Sequence, residues 1–316
     1  MTAPTDDVRI EPSSDPRVLV DALASATGAR PGLRVSHAKG ILLTGTFTPT
    51  PPAREQTLAA HMQGDPVRVT VRFSNASTDP HSNDAAVGEP RGMSVKFYLP
   101  DGSTTDLVCQ SWPVFLVSTP QEFLEFMQAQ LDSPEAVGAF IAAHPRTAAA
   151  LELIAQVADP PQSWATMAFN SAVAYRLVSA AGQQRFVRWR LVPEAGEQSL
   201  PERERDSVGP DYLMTEILQR LPVRFSVRAL IAEDGDPTHD STLPWPADRE
   251  QVEMGVLELT GPDTERERGD DVLVMDPMRL TPGIEPSDDP ILHIRTHAYA
   301  ESVRRRTGVT RTDQLQ

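Results

Sequence analysis

Between residues 66 and 74 the chain alternates without a break: Val67, Val69, Val71 and Phe73 are apolar, and Arg68, Thr70, Arg72 and Ser74 lie between them. A period of two puts the two sets on opposite faces, so this stretch predicts a half-buried antiparallel strand. Looser alternation predicts strands at 41–47, 93–99, 107–110, 113–118, 168–177, 184–191, 222–232 and 252–260. Loops rich in Pro, Asp, Asn and Gly, such as 79–90, punctuate the first of these. Helical spacing predicts a short helix over 18–26. It also predicts one opened by Pro120, with Phe123 and Phe126 three apart. Asp132-Ser133-Pro134-Glu135 and Ala143-His144-Pro145 mark two further short helices, and helices are also predicted at 211–221 and 290–306. Residues 261–286 read as irregular. Strands, inserted helices, more strands and a last helix make an α+β order with a large antiparallel sheet or barrel. No repeat or linker splits the chain, so it reads as one domain of residues 1–316. Its parts are an arm (1–30), a barrel with inserted helices (31–260), and a wrapping segment with the last helix (261–316).

Composition narrows the function classes. Lys and Arg number 29 against 44 Asp and Glu, a net charge of −15, which argues against nucleic acid or an anionic membrane as the main partner. The chain holds 29 prolines, which predicts many turns and loops rather than a helix bundle. Cys109 is the one cysteine, so no intrachain disulfide and no cysteine-based zinc or iron–sulfur site can form. The first residues lack a basic segment followed by an apolar one, and no apolar run is long enough to span a bilayer, so a cytoplasmic location is expected.

The last predicted helix carries the most specific chemistry. Ser287-Asp288-Asp289-Pro290 offers cap candidates and a first-turn proline, and Arg304-Arg305-Arg306 before Gly308 offers a matching end. Arg295, Tyr299, Ser302 and Arg306 share one helical face. A guanidinium beside a phenol favours the phenolate, and tyrosinate is one of the axial ligands used for haem iron. Arg306 could pair a carboxylate of the same cofactor. A helix that buries a tyrosine and shows its arginines to solvent would have the same spacing. His293 and His297 stand four apart, a spacing that can hold zinc, but Ile294 sits where the metalloprotease pattern needs Glu.

The N-terminal half supplies a second set of groups. His37 lies between Arg34 and Lys39 ahead of a strand. Arg72 and Ser74 share a polar strand face, and Gln110 with Trp112 and Phe115 precedes or follows a proline-marked bend. Here the sequence resembles the haem catalase superfamily. Arg34-Val35-Ser36-His37-Ala38-Lys39-Gly40 is similar to the segment around the distal histidine, and Val71-Arg72-Phe73-Ser74 to the family's R-F-S strand. Glu89-Pro90-Arg91-Gly92-Met93-Ser94-Val95-Lys96-Phe97-Tyr98 resembles D-P-R-G-F-A-V-K-F-Y, with Glu for the opening acid. Pro282-Gly283-Ile284-Glu285-Pro286-Ser287 matches P-G-I-E-P-S, and Arg295 with Tyr299 falls on the proximal motif. The five matches keep chain order from about 34 to 306. The chain looks most similar to the minimal catalase-related peroxidases, which keep the barrel and the haem site. The resemblance therefore implies an eight-stranded antiparallel β-barrel with added helices, without the C-terminal helical and flavodoxin-like regions of larger catalases.

The same resemblance implies roles. Tyr299 is the proximal iron ligand, and Arg295 is the cation that keeps it a phenolate. His37 is the distal acid and base, and Ser74 orients it. Arg34, Arg72 and Arg306 pair the propionates of a haem, read as haem b, a use that suits bidentate guanidinium. Val35, Phe115, Phe123 and Met275 pack the macrocycle, although by themselves they read equally well as core. One departure stands out: catalases carry G-N-N-T-P after the D-L-V segment, and this chain reads Cys109-Gln110-Ser111-Trp112-Pro113. Gln110 keeps an amide on a longer stem, and Trp112 is bulky. The expected activity is therefore a peroxidase that reduces hydrogen peroxide or organic peroxides with a small organic electron donor, with self-association left open. Alternatives are dismutation as a true catalase, hydroperoxide conversion of the allene oxide synthase kind, a haem carrier, and a haem-free barrel.

Overall fold

The computed structural model describes residues 15–28, 32–264 and 273–307. Its first elements are α1 (Pro16–Thr27), β1 (Gly40–Pro49), α2 (Pro51–Gln56), β2 (Val67–Asn75), β3 (Arg91–Tyr98) and β4 (Thr104–Gln110). Then come α3 (Pro120–Asp132), α4 (Pro134–Ala143), α5 (Pro145–Ala155), β5 (Phe169–Asn170), β6 (Tyr175–Val178) and β7 (Gln184–Pro193). The chain goes on through α6 (Tyr212–Arg220), β8 (Val223–Ile231), β9 (Gln251–Pro262), β10 (Ile284–Pro286) and α7 (Pro290–Thr307). Among the described residues no helix is long and apolar enough to cross a membrane.

All strand pairings are antiparallel, and a β7–β8 pairing joins the ends of the order β7-β5-β4-β3-β2-β1-β9-β8. That closes an eight-stranded barrel, with β6 continuing along β7 and β10 pairing with β6. Closure removes the free edges that would otherwise template aggregation. The barrel interior is filled by side chains. Phe73 of β2 stacks on Trp164 with ring centroids 5.5 Å apart, and it meets Phe169 and Phe225 at 5.8 and 6.0 Å.

The alternation of β2 is borne out, but the strand is more than half buried. Thr70 and Ser74 on its polar face are both buried, because later segments of the chain cover that face. Two strand expectations fail. Residues 113–118 form no strand: Val114 packs against Ala150 and Ile154 of α5, and Val117 against Phe126 and Phe140, so the apolar run divides between two clusters. The stretch 168–177 is split, because Ala172 takes a positive φ of 58° and the Ser171 hydroxyl donates to the Val173 carbonyl at 2.7 Å. The proline excess has a second use besides turns. α1, α2, α3, α4, α5 and α7 each begin with Pro, where the missing N–H costs nothing.

Candidate active site

The outer wall of the barrel sets the first positions. Antiparallel register aligns Gly40 of β1, Ser74 of β2, Gly92 of β3 and Gln110 of β4 in one row, with Arg72 and Ser94 in the next. His37 comes from the loop just before β1. Its N–H donates to the Ala76 carbonyl at 3.1 Å, and the Ala38 N–H donates to Ser77 at 3.0 Å. A guanidinium N–H of Arg72 donates to the His37 carbonyl at 2.8 Å. These bonds hold His37 at φ 57°, a left-handed conformation that costs a non-glycine residue about 1–2 kcal/mol.

The imidazole faces Ser74, with Nδ1 3.0 Å from Oγ. Gly92 lets it approach the wall: a Cβ there would stand 2.9 Å from Ser74 Oγ and 3.0 Å from His37 Cε1. Loss of hydration pushes the His37 pKa down to about 3, with the charges of Arg72, Arg34 and Arg295 adding to the effect. The ring is therefore neutral at physiological pH. Behind it, the buried Lys39 ammonium lies 2.7 Å from Asp84, and Asn75 donates to the same carboxylate at 2.7 Å. The Ser77 N–H donates to Glu89 at 2.8 Å, which ties the loop before β3 to this framework.

α7 supplies the second set of groups. Asp289 caps it by accepting the Ile291 N–H at 2.8 Å, and Pro290 starts it. Two N–H groups of Arg295 donate to the Tyr299 oxygen, at 2.7 Å from an Nη and 3.2 Å from Nε. Burial opposes the charge on Arg295, yet the oxygens of Tyr299 and Tyr175 and the Asp276 carboxylate outweigh it and raise its pKa above the usual value. The expected helix end at Gly308 lies outside the described residues.

Arg34, Arg72 and Arg306 come from the loop, from β2 and from α7. The Arg34 pKa falls well below its usual value, first through loss of hydration and then through the charges of Arg72 and Arg306, with Tyr299 opposing. Arg34 donates to the Leu273 carbonyl at 2.8 Å. Among the described residues no carboxylate forms an ion pair with Arg34 or Arg306.

His37, Ser74, Arg34, Arg72, Arg295, Tyr299 and Arg306 thus form one linked set, and Gln110 joins it through its register with Gly92. Among the described residues the Gln110 amide donates only to the Val114 carbonyl, at 3.4 Å. Trp112 turns away and packs with Val114, Ala150 and Ile154. Phe115 and Phe123 stack with centroids 6.3 Å apart, in a cluster with Val117, Phe126 and Ile291 of α7. Val35 is buried. Met275 packs with Leu42, Val108 and Leu273 on the outer barrel wall. His293 spends Nε2 as a donor to the Ser287 carbonyl at 2.8 Å, and among the described residues no cluster of His, Cys, Asp or Glu could hold a metal. Sequence reasoning missed Gly92 as a contact of the histidine. Its signal was a glycine inside a strand, which marks close approach.

Comparison with known proteins gives the family. The catalase family model matches residues 15–315. The chain is 44% identical to the catalase-related peroxidase of Mycolicibacterium paratuberculosis, over 95% of this chain and 97% of that protein. It is 30% identical to the catalase-related peroxidase of Synechococcus elongatus, over 92% of this chain and 88% of that one. Among solved structures, a fungal catalase superposes with a TM-score of 0.78 at 23% identity, covering 94% of this chain and 64% of that chain. Catalase A of Saccharomyces cerevisiae gives 0.76 at 23% identity, covering 91% and 64%. The chain spans about two thirds of the length of those two catalases, and the family match with the sequence identities defines the class: the chain belongs to the catalase family.

Catalase family proteins bind haem, and the donor set fits that group. A phenol oxygen holding two guanidinium hydrogen bonds suits an anionic iron ligand. A cluster of three arginines in which Arg34 and Arg306 have no carboxylate partner among the described residues suits a dianion with two carboxylates.

Proposed function

We propose that this protein is a haem-dependent peroxidase that reduces a peroxide with a small organic electron donor. The observation that carries the reading is the double hydrogen bond from Arg295 to the Tyr299 oxygen, with a neutral His37 within electrostatic reach of the same Arg295. The names of the two catalase-related peroxidases support it. Tyr299 is read as the proximal ligand and Arg34, Arg72 and Arg306 as partners of the propionates. Held there, haem would supply a redox-active ferric centre.

The chain's own groups supply the proton steps. With Nδ1–H donating to Ser74 Oγ, Nε2 of His37 presents a lone pair and takes the proton from the near oxygen of the peroxide. The same nitrogen returns the proton to the departing oxygen, which leaves as water or alcohol. A base that stays neutral can serve both halves without competing protonation by solvent. The wall made by Ser74 and Gly92 keeps the ring in one orientation. The Gln110 amide, directed at its own loop, favours peroxidase turnover over dismutation, in which a second peroxide must be positioned.

Donor oxidation and oxygen release in holoprotein, wild type beside His37→Ala, test this reading. Donor oxidation dependent on peroxide and lost in His37→Ala is the expected result. Oxygen evolution at the rate of a full-length catalase, or donor oxidation unaffected by His37→Ala, would contradict it.

A further inference from the structure

Thr296 sits in the interior of α7, directly after Arg295. A threonine hydroxyl there ordinarily bonds a carbonyl one turn back or points to water. This one instead donates to Asp276 Oδ1 at 2.8 Å, on the segment that wraps the outer barrel wall. We propose that Asp276 is a positioning residue for the proximal side of the site. Through Thr296 it fixes the turn of α7 from which Arg295 reaches Tyr299. The proposal rests on the reading of Tyr299 as the iron ligand.

The bonds behind Asp276 lead straight to the barrel. Its Oδ1 also accepts the Met278 N–H at 2.9 Å, which locks the carboxylate in a local turn. Its backbone N–H donates to Asp106 Oδ2 at 2.8 Å, and Arg279 donates to the same oxygen at 2.8 Å. The other oxygen of Asp106 lies 2.7 Å from the Lys96 ammonium, and neither of these two side chains has any exposed area. Lys96 and Asp106 are directly opposite in the β3–β4 register, so the anchor is part of the sheet. The next residue, Pro277, accepts the Tyr175 hydroxyl at 3.3 Å. The path from the wall to α7 therefore runs from a buried anchor through half-buried side chains, each held by hydrogen bonds.

Charge gives Asp276 a second effect. Among the described residues its carboxylate forms no ion pair, so no cation neutralises it at contact distance. Its charge acts on Arg295 without taking that residue's N–H groups, which stay on Tyr299. It therefore balances part of the guanidinium charge felt at the phenol oxygen. Removing this negative charge disfavours the ferric state, which carries one more positive charge than the ferrous state.

The test compares holoprotein of the wild type with Thr296→Val, Thr296→Ser and Asp276→Asn. The readouts are the tyrosinate-to-iron charge-transfer absorption, the ferric/ferrous reduction potential and the thermal midpoint. The expected results are a shifted charge-transfer band in Thr296→Val, its return in Thr296→Ser, and a higher potential in Asp276→Asn. Thr296→Val at the wild-type band and potential, with only a lower midpoint, would make the contact merely structural and overturn the proposal. So would Thr296→Ser failing to restore the band. A wild type with no tyrosinate signature would overturn the underlying reading of Tyr299 as well, which separates the two failures.

Discussion

Gly92 and His37 are in such close approach that a single methyl group cannot be added between them: a Cβ on residue 92 would lie 3.0 Å from Cε1 and 3.1 Å from Nδ1 of the imidazole. The small residue on β3 is thus what admits the ring to the row that holds Ser74. Gly92→Ala is predicted to push the imidazole off Ser74 while leaving the proximal side intact. A displacement near 1 Å costs roughly 100-fold in rate. Steady-state peroxidase assays should show a loss of that order, with haem content per chain unchanged in the absorption spectrum.

Proton uptake by buried histidines gives a second prediction. His37 and His61 each have a pKa pushed down to about 3, through burial in both cases and through nearby arginines for His37. In the unfolded chain a histidine titrates near 6.5. Between these values the unfolded state binds more protons, so each residue's contribution is complete above about 6.5 and is lost as pH falls toward 3. Urea midpoints should therefore drop between pH 7 and pH 4. His61 packs against Phe47 and Phe97 away from the candidate site, with Nδ1 unpartnered, so His61→Phe should flatten that drop without changing the active-site chemistry. Peroxidase rates corrected for unfolding should stay flat from pH 5 to 8, with no limb near 6.5.

The arginine cluster should separate stability from cofactor retention. Arg34 is crowded by like charges in the protein alone, so Arg34→Leu relieves repulsion there. The same change removes a contact to an anion worth about 1.5–3 kcal/mol, or roughly 10- to 100-fold in affinity. Thermal unfolding of the apoprotein should be unchanged or higher in Arg34→Leu. Haem titration should show weaker binding by that factor.

The parts of the fold that were legible in the sequence share one property: local pattern and tertiary environment agree. β2 alternates because one face fills the barrel, α3 and α4 announce themselves by a capping residue followed by proline, and α5 by Pro145 at its start. Residues 113–118 misled because continuous apolar positions suit a strand equally well as an irregular turn feeding two clusters. The break at Ala172 was invisible because its positive φ is imposed by surrounding hydrogen bonds, and alanine carries no signal for it. At the site, Arg295 and Tyr299 could be paired from helical spacing alone. The facing of His37 and Gly92 could not, since it depends on strand register and a loop held by Ala76 and Ser77. The Thr296–Asp276 contact joins a helix to a segment with no periodicity at all, so nothing in the local pattern points to it.

The proposed function stands on Tyr299, held by Arg295, serving as the anionic ligand of a ferric haem. Absorption and electron paramagnetic resonance spectra of the purified, haem-loaded protein, wild type beside Tyr299→Phe, test it most directly. The expected result is a high-spin ferric spectrum with a tyrosinate charge-transfer band in the wild type, and loss of that band with weaker haem retention in Tyr299→Phe. Identical spectra and haem content in the two proteins would contradict it.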